Sequence, residues 1–155
     1  MWFHSNLVSC AEFSADGNRV LTASAVEGSR IWNVNTGEPV SPGFAYRTVT
    51  KSDTAKAFFS PNEQFIVSSG ADNYVERWDL LNNGQRIEVI PTAKLAFSAK
   101  FDPSGRLVLI TEGNDAIISD GMSGLRLGPK LGKDTSPLMF ATRSEERRVG
   151  KECRL

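Results

Sequence analysis

The sequence predicts an all-β chain built from about three repeated four-stranded antiparallel units that do not close on themselves. Three observations point there. A phenylalanine followed by a tight turn and a short apolar strand occurs as FSADGNRVLTAS at 13–24, FSPNEQFIVSSG at 59–70 and FDPSGRLVLITEG at 101–113. The phrase returns after 46 and then 42 residues, measured from Phe13 to Phe59 to Phe101, which is the period of a four-stranded supersecondary unit. Phe13 precedes Trp32 by nineteen residues, Phe59 precedes Trp78 by nineteen and Phe101 precedes Ser119 by eighteen. A recurring offset implies recurring geometry, and frequent Gly, Pro, Asn and Asp leave little room for a helical period.

Within each unit the first strand ends at the phenylalanine, as LVSCAEF, TAKAFF and LAFSAKF. A turn follows at Asp16-Gly17, Pro61-Asn62 or Pro103-Ser104-Gly105, residues that preset or tolerate turn dihedrals. The second strands, RVLTAS, FIVSS and RLVLIT, are almost continuously apolar, as suits a strand covered on both faces. Third strands follow as SRIWNV, YVERWDL and AIISD, and turns at Gly37, Gly84 and Gly124 lead to weaker outer strands near 38–44, 85–90 and 125–131. The units therefore span about 4–44, 45–90 and 91–131, with a further unit beginning at 132–142.

Eighteen basic residues balance eighteen acidic ones, so no field is present to draw in nucleic acid. Apolar runs of a few residues fall far short of a membrane span. The opening MWFHSN lacks the basic start and apolar stretch of a secretory signal, which favours a cytoplasmic setting. Cys10 and Cys153 form neither a disulfide framework nor a metal-ligand pattern, and Cys10, within LVSCAEF, reads as a small buried residue.

The repeated units, with Trp78-Asp79 as a signature dipeptide and Trp32-Asn33 as a near form, resemble a WD-repeat β-propeller over roughly residues 4–141. TGEPVSPGF and SGLRLGPKL, after the third strands, are similar to outer strands of bacterial-type repeats. The resemblance implies a partial propeller of about three blades. It also implies a buried hydrogen-bond network joining a His before strand one, a Ser or Thr in strand two, an Asp in the next turn and the Trp of strand three. The first unit supplies His4, Thr22 and Trp32 but has Val26 at the Asp position. The second supplies Ser68, Asp72 and Trp78 but has Thr50 at the His position, and the third, with Thr92, Ile110 and Ser119, retains almost none of it. A buried polar group without its partner costs about 1–3 kcal/mol, so these blades are expected to rely on apolar packing.

No catalytic constellation emerges. His4 is the only histidine and belongs to the structural pattern rather than to a Ser-His-Asp triad. GPKLGKD at 128–134 fails as a phosphate loop, because one residue between the glycines is missing, Asp134 replaces the metal-binding hydroxyl and no helix follows. Asp72, Asp79, Asp102, Asp115 and Asp120 are spread over repeat turns, and no cofactor or metal is expected. RSEERRVGKEC at 143–153 resembles a translated sequencing adapter, so 143–155 is expected to be a non-native tail.

Repeat arrays need neighbours to bury their faces, so about three blades imply a fragment of a longer propeller, prone to self-association through exposed edges. The expected function is a noncatalytic protein-interaction scaffold that binds a protein or peptide through rim loops before strand one and between strands two and three. Tyr46, Arg47, Lys51, Lys94 and Glu27 are its candidate contacts. The alternatives are a sensor region of a bacterial multidomain signalling protein with a kinase or NTPase module, and, less favoured, a propeller hydrolase.

Overall fold

A computed structural model describes residues 7–45, 55–70 and 73–132. The described chain contains strands and turns but no helix, and its strands form three antiparallel sheets, none of them closed. Sheet one joins β1 (Val8–Phe13), β2 (Arg19–Ser24) and β3 (Gly28–Asn33). Sheet two joins β4 (Lys56–Phe59), β5 (Phe65–Ser69), β6 (Tyr74–Asp79) and β7 (Gln85–Pro91). Sheet three joins β8 (Ala96–Phe101), β9 (Leu107–Glu112), β10 (Asp115–Asp120) and β11 (Arg126–Leu131). Within each sheet every strand pairs with its neighbour in sequence, the up-and-down order of a propeller blade.

The residue after each recurring phenylalanine explains why the phrase repeats. Ser14 Oγ accepts the Arg19 N–H at 2.9 Å, Ser60 Oγ accepts the Phe65 N–H at 3.0 Å, and Asp102 Oδ1 accepts the Leu107 N–H at 2.8 Å. One short polar side chain thus closes the first hairpin of each sheet and satisfies the amide that begins, or lies beside, strand two. A second repeated device ends strand three. Asn33 Oδ1 accepts the N–H groups of Asn35 and Thr36, Asp79 Oδ1 those of Leu81 and Asn82, and Asp120 Oδ1 those of Met122 and Ser123. These Asx side chains serve their own turns.

The outer edge of sheet one departs from the expected strand at 38–44. Only two isolated bridges, Ser29 to Phe44 and Trp32 to Pro39, hold it to β3. Pro39 and Pro42 have no N–H to donate, and the Ile31 N–H goes instead to Ser41 Oγ at 3.3 Å.

Side chains alternate across each strand, so register assigns the faces. Leu21, Ala23 and Ile31 of sheet one meet Ala57, Ile66 and Trp78 of sheet two, with Phe44 completing this core. Val67, Val75 and Ile90 of sheet two meet Ala99, Val108, Ile110 and Ile117 of sheet three. Fully burying one such aliphatic or aromatic side chain contributes about 1.5–3 kcal/mol. The sheets also cross-link through polar groups: Ser9 Oγ donates to the Ala55 carbonyl at 2.6 Å, the Phe59 N–H donates to Glu12 Oε2 at 2.9 Å, and Arg19 pairs with Glu63.

The free edge and outer face of sheet one leave two residues more exposed than their counterparts in a covered sheet. Cys10 is half-buried rather than buried, its Sγ 3.8 Å from the Ala57 carbonyl oxygen, because β1 is an edge strand. Phe59 and Phe101 pack against the first and second cores, whereas Phe13 is 66% exposed, since no described sheet covers that face of sheet one.

Candidate interaction face

In sheet three the loop before β8 and the turn between β9 and β10 lie side by side. The Gly113 N–H donates to the Leu95 carbonyl at 3.2 Å, and Lys94 Nζ pairs with Asp115 Oδ2 at 3.2 Å. The approach is close. Gly113 has φ of 56°, and a Cβ there would fall 2.6 Å from Lys94 Cδ, so glycine lets the lysine stem cross the turn.

Behind Lys94 the charges continue inward as a chain of alternating sign. Lys130 Nζ lies 3.4 Å from Asp115 Oδ2 and 2.6 Å from Glu112 Oε1, while Glu112 Oε2 accepts the Ala93 N–H at 2.7 Å. The Lys94 and Lys130 hydrogen bonds hold the Asp115 carboxyl below its ordinary range. Burial works against ionisation of Glu112, but Lys130 and the Ala93 N–H outweigh it and its pKa falls. The bond that Lys130 donates to Glu112 raises the pKa of Lys130. Lys94 is 54% exposed and is the outermost member of the chain.

Of the other sequence-designated contacts, Glu27 is half-buried beside Gly28 at the start of β3. Tyr46, Arg47 and Lys51 lie outside the described residues, as do His4, Thr50 and Asp72 of the expected hydrogen-bond network. Within the described part, Trp32 Nε1 donates to Thr22 Oγ1 at 2.7 Å and Trp78 Nε1 to Ser68 Oγ at 2.9 Å. In sheet three the same two positions are Ile110, fully buried, and Ser119, whose buried Oγ has no partner among the described residues. Thr92, which stands at the His position there, donates from Oγ1 to the Lys94 carbonyl at 2.7 Å and so shapes the loop that carries Lys94.

Sequence reading missed Glu112, Asp115 and Lys130 as one group, because they come from different strands and no local pattern joins them. It also missed Glu76, buried with its Oε1 2.9 Å from Arg86. Among the described residues no group of three or more His, Cys, Asp or Glu is arranged to hold a metal ion.

A family model described as WD domain, G-beta repeat, matches residues 48–79, which include β4, β5 and β6 and end at Trp78-Asp79. WD40 repeats generally mediate protein–protein interactions and are typically noncatalytic.

Proposed function

Starting from a WD40 repeat at residues 48–79, we propose that the chain is a noncatalytic scaffold that binds a protein or peptide on the face carrying Lys94. The juxtaposition of Lys94 with Asp115 across two loops carries this reading, because it puts groups of both signs on one rim of a stiff stack of sheets. Rim loops on a rigid scaffold recognise extended segments without ordering themselves first, which lowers the entropy cost of binding. Tyr46, Arg47, Lys51 and Glu27 are the further contacts of this reading, with an aromatic and a guanidinium as the anchors best suited to peptide recognition.

The test is a peptide-display selection on the immobilised chain, followed by Kd measurement of the strongest binder against Lys94→Glu, Glu27→Ala, Tyr46→Ala, Arg47→Ala and Lys51→Ala. At least one of these is expected to weaken binding tenfold or more with Tm unchanged. A binder indifferent to all five substitutions would place recognition elsewhere and sink the assignment.

A further inference from the structure

The rim that carries Lys94 sorts its charges by depth. Of the four groups joined there, Lys94 is 54% exposed and Lys130 32%, whereas Asp115 is 18% exposed and Glu112 only 1%. Both cations are thus more open to solvent than either anion. A formally neutral cluster arranged in this way still presents a positive surface, because an approaching group comes closer to the ammonium groups than to the carboxylates and attraction falls with distance.

The bonding pattern also lets one of the two lysines change partner. Asp115 Oδ2 lies 3.2 Å from Lys94 Nζ and 3.4 Å from Lys130 Nζ, and Lys130 Nζ in addition holds Glu112 Oε1 at 2.6 Å. If Lys94 turns outward, Asp115 keeps Lys130 and no carboxylate is stranded. If Lys130 turned outward, Glu112 would lose its cation in the interior, which is costly. Lys94 is therefore the exchangeable cation and Lys130 the fixed one.

The loop that presents Lys94 is already in place. Thr92 Oγ1 donates to the Lys94 carbonyl at 2.7 Å, and the Leu95 carbonyl accepts the Gly113 N–H at 3.2 Å, so backbone on either side is tied down and little ordering is left to binding. Leu95, 47% exposed, adds apolar surface directly beside the lysine.

We infer that the partner taken up at this rim is an acidic peptide segment, whose Asp or Glu carboxylate displaces Asp115 from Lys94 while a neighbouring apolar side chain rests on Leu95. Asp115 is then an internal competitor that holds the lysine in position when the site is empty. The inference rests on the rim reading above and adds to it the charge of the partner.

Three pools of labelled decapeptides test it, alike in their randomised Leu, Val, Gly and Ser positions and carrying three Asp, three Asn or three Lys. Fluorescence anisotropy with the whole chain is expected to rank the Asp pool first. For its tightest member, Lys94→Gln should weaken binding about fivefold and Asp115→Asn should tighten it about twofold, the range of a partly exposed charge pair. A merely structural Asp115 would give a loss in both variants, so the opposite signs identify the competition. An Asn or Lys pool that binds as well as the Asp pool overturns the acidic partner, as does an Asp peptide indifferent to Lys94→Gln. In either case, neutral or basic peptides that lose affinity in the rim variants would leave the rim reading standing without it. Binding insensitive to every rim substitution would remove both. Oligothymidylate of the same length is the polyanion control, and tighter Lys94-dependent binding of it than of the Asp peptide would assign the rim to nucleic acid instead. Should Asp115→Asn fail to fold, the exposed Lys94→Gln variant decides the matter alone.

Discussion

The Phe44 ring lies 5.5 Å from the Trp78 ring, centroid to centroid, tilted by 55°, and this contact joins the broken outer edge of sheet one to sheet two. Phe44 is fully buried although only isolated bridges hold its backbone, so the side chain anchors the edge rather than the reverse. Phe44→Ala should cost about 3–5 kcal/mol, read from urea unfolding. Gly84, at φ of 69°, has no room for a methyl group, since a Cβ would meet Phe44 Cε1 at 2.6 Å. Gly84→Ala should therefore also destabilise, and part of its cost should disappear in the Phe44→Leu background, where the offending atom is gone.

Trp78 and Ser68 form the one tryptophan–hydroxyl pair buried between two described sheets, so their bond has a measurable coupling. Trp78→Phe keeps a ring and removes the donor, and Ser68→Ala removes the acceptor. A double-mutant cycle should give a coupling of about 1 kcal/mol, the net worth of a neutral hydrogen bond. Coupling near zero would show that Trp78 stabilises by packing alone.

The sheets were readable because their determinants are local. A serine or aspartate after each phenylalanine closes a hairpin within five residues, and an Asx residue ends each third strand, so period and turn chemistry gave strands such as Arg19–Ser24 and Phe65–Ser69 directly. The weak outer strand expected at 38–44 after the Gly37 turn is reduced to two bridges because Pro39 and Pro42 have no N–H to give to a ladder. The charge chain from Lys94 to Glu112 was invisible, since Asp115 and Lys130 meet only once β10 and β11 pair. Ser119 could be recognised in the place of a tryptophan from spacing, but its pairing with Arg126 required the register.

Glu12 and Asp16 should respond to pH in opposite senses. Burial raises the Glu12 pKa above 4.5, with the Phe59 N–H opposing it. A raised folded-state value means that its contribution is full below the unfolded pKa and is lost as pH rises through the folded one. Glu12→Gln, which keeps an acceptor for Phe59, should raise Tm at pH 7 and leave it unchanged near pH 3. A Tm at pH 7 equal to or below that of the wild type would count against burial as the controlling influence.

Asp16 is the reverse case. Hydrogen bonds from the Ser14 hydroxyl, the Asn18 N–H and the Asn18 amide lower its pKa from 3.8 to about 2. Its contribution is present above 3.8 and lost as pH falls through about 2. Asp16→Asn should lower Tm from pH 5 to 7, where that contribution is full, and leave it unchanged near pH 2, so that the profile flattens between those limits. A profile as steep as the wild type's would assign the acid transition to other carboxylates.

The two outer flanks of the stack should make the chain associate head to tail. On sheet one, Phe13, Val20 and Trp32 align in register on the face turned away from sheet two, the same positions through which sheet two meets sheet one. On sheet three, Ile117 and Ser119 face sheet two, so Ile118 and its register partners Leu109 and Leu127 face away. Leu127 is 43% exposed. The flanks differ from each other and each matches the kind of face the other requires, which is the condition for a heterologous contact that does not stop at a dimer. Sedimentation velocity should show mass rising with concentration beyond two chains, and Phe13→Lys or Leu127→Lys should each suppress it, because either charge would be buried unpaired in the contact. If the two variants are mixed, each still carries one intact flank and dimers should return without longer species. A chain that remains monomeric at high concentration, or variants that associate as the wild type does, would show that neither flank mediates contact.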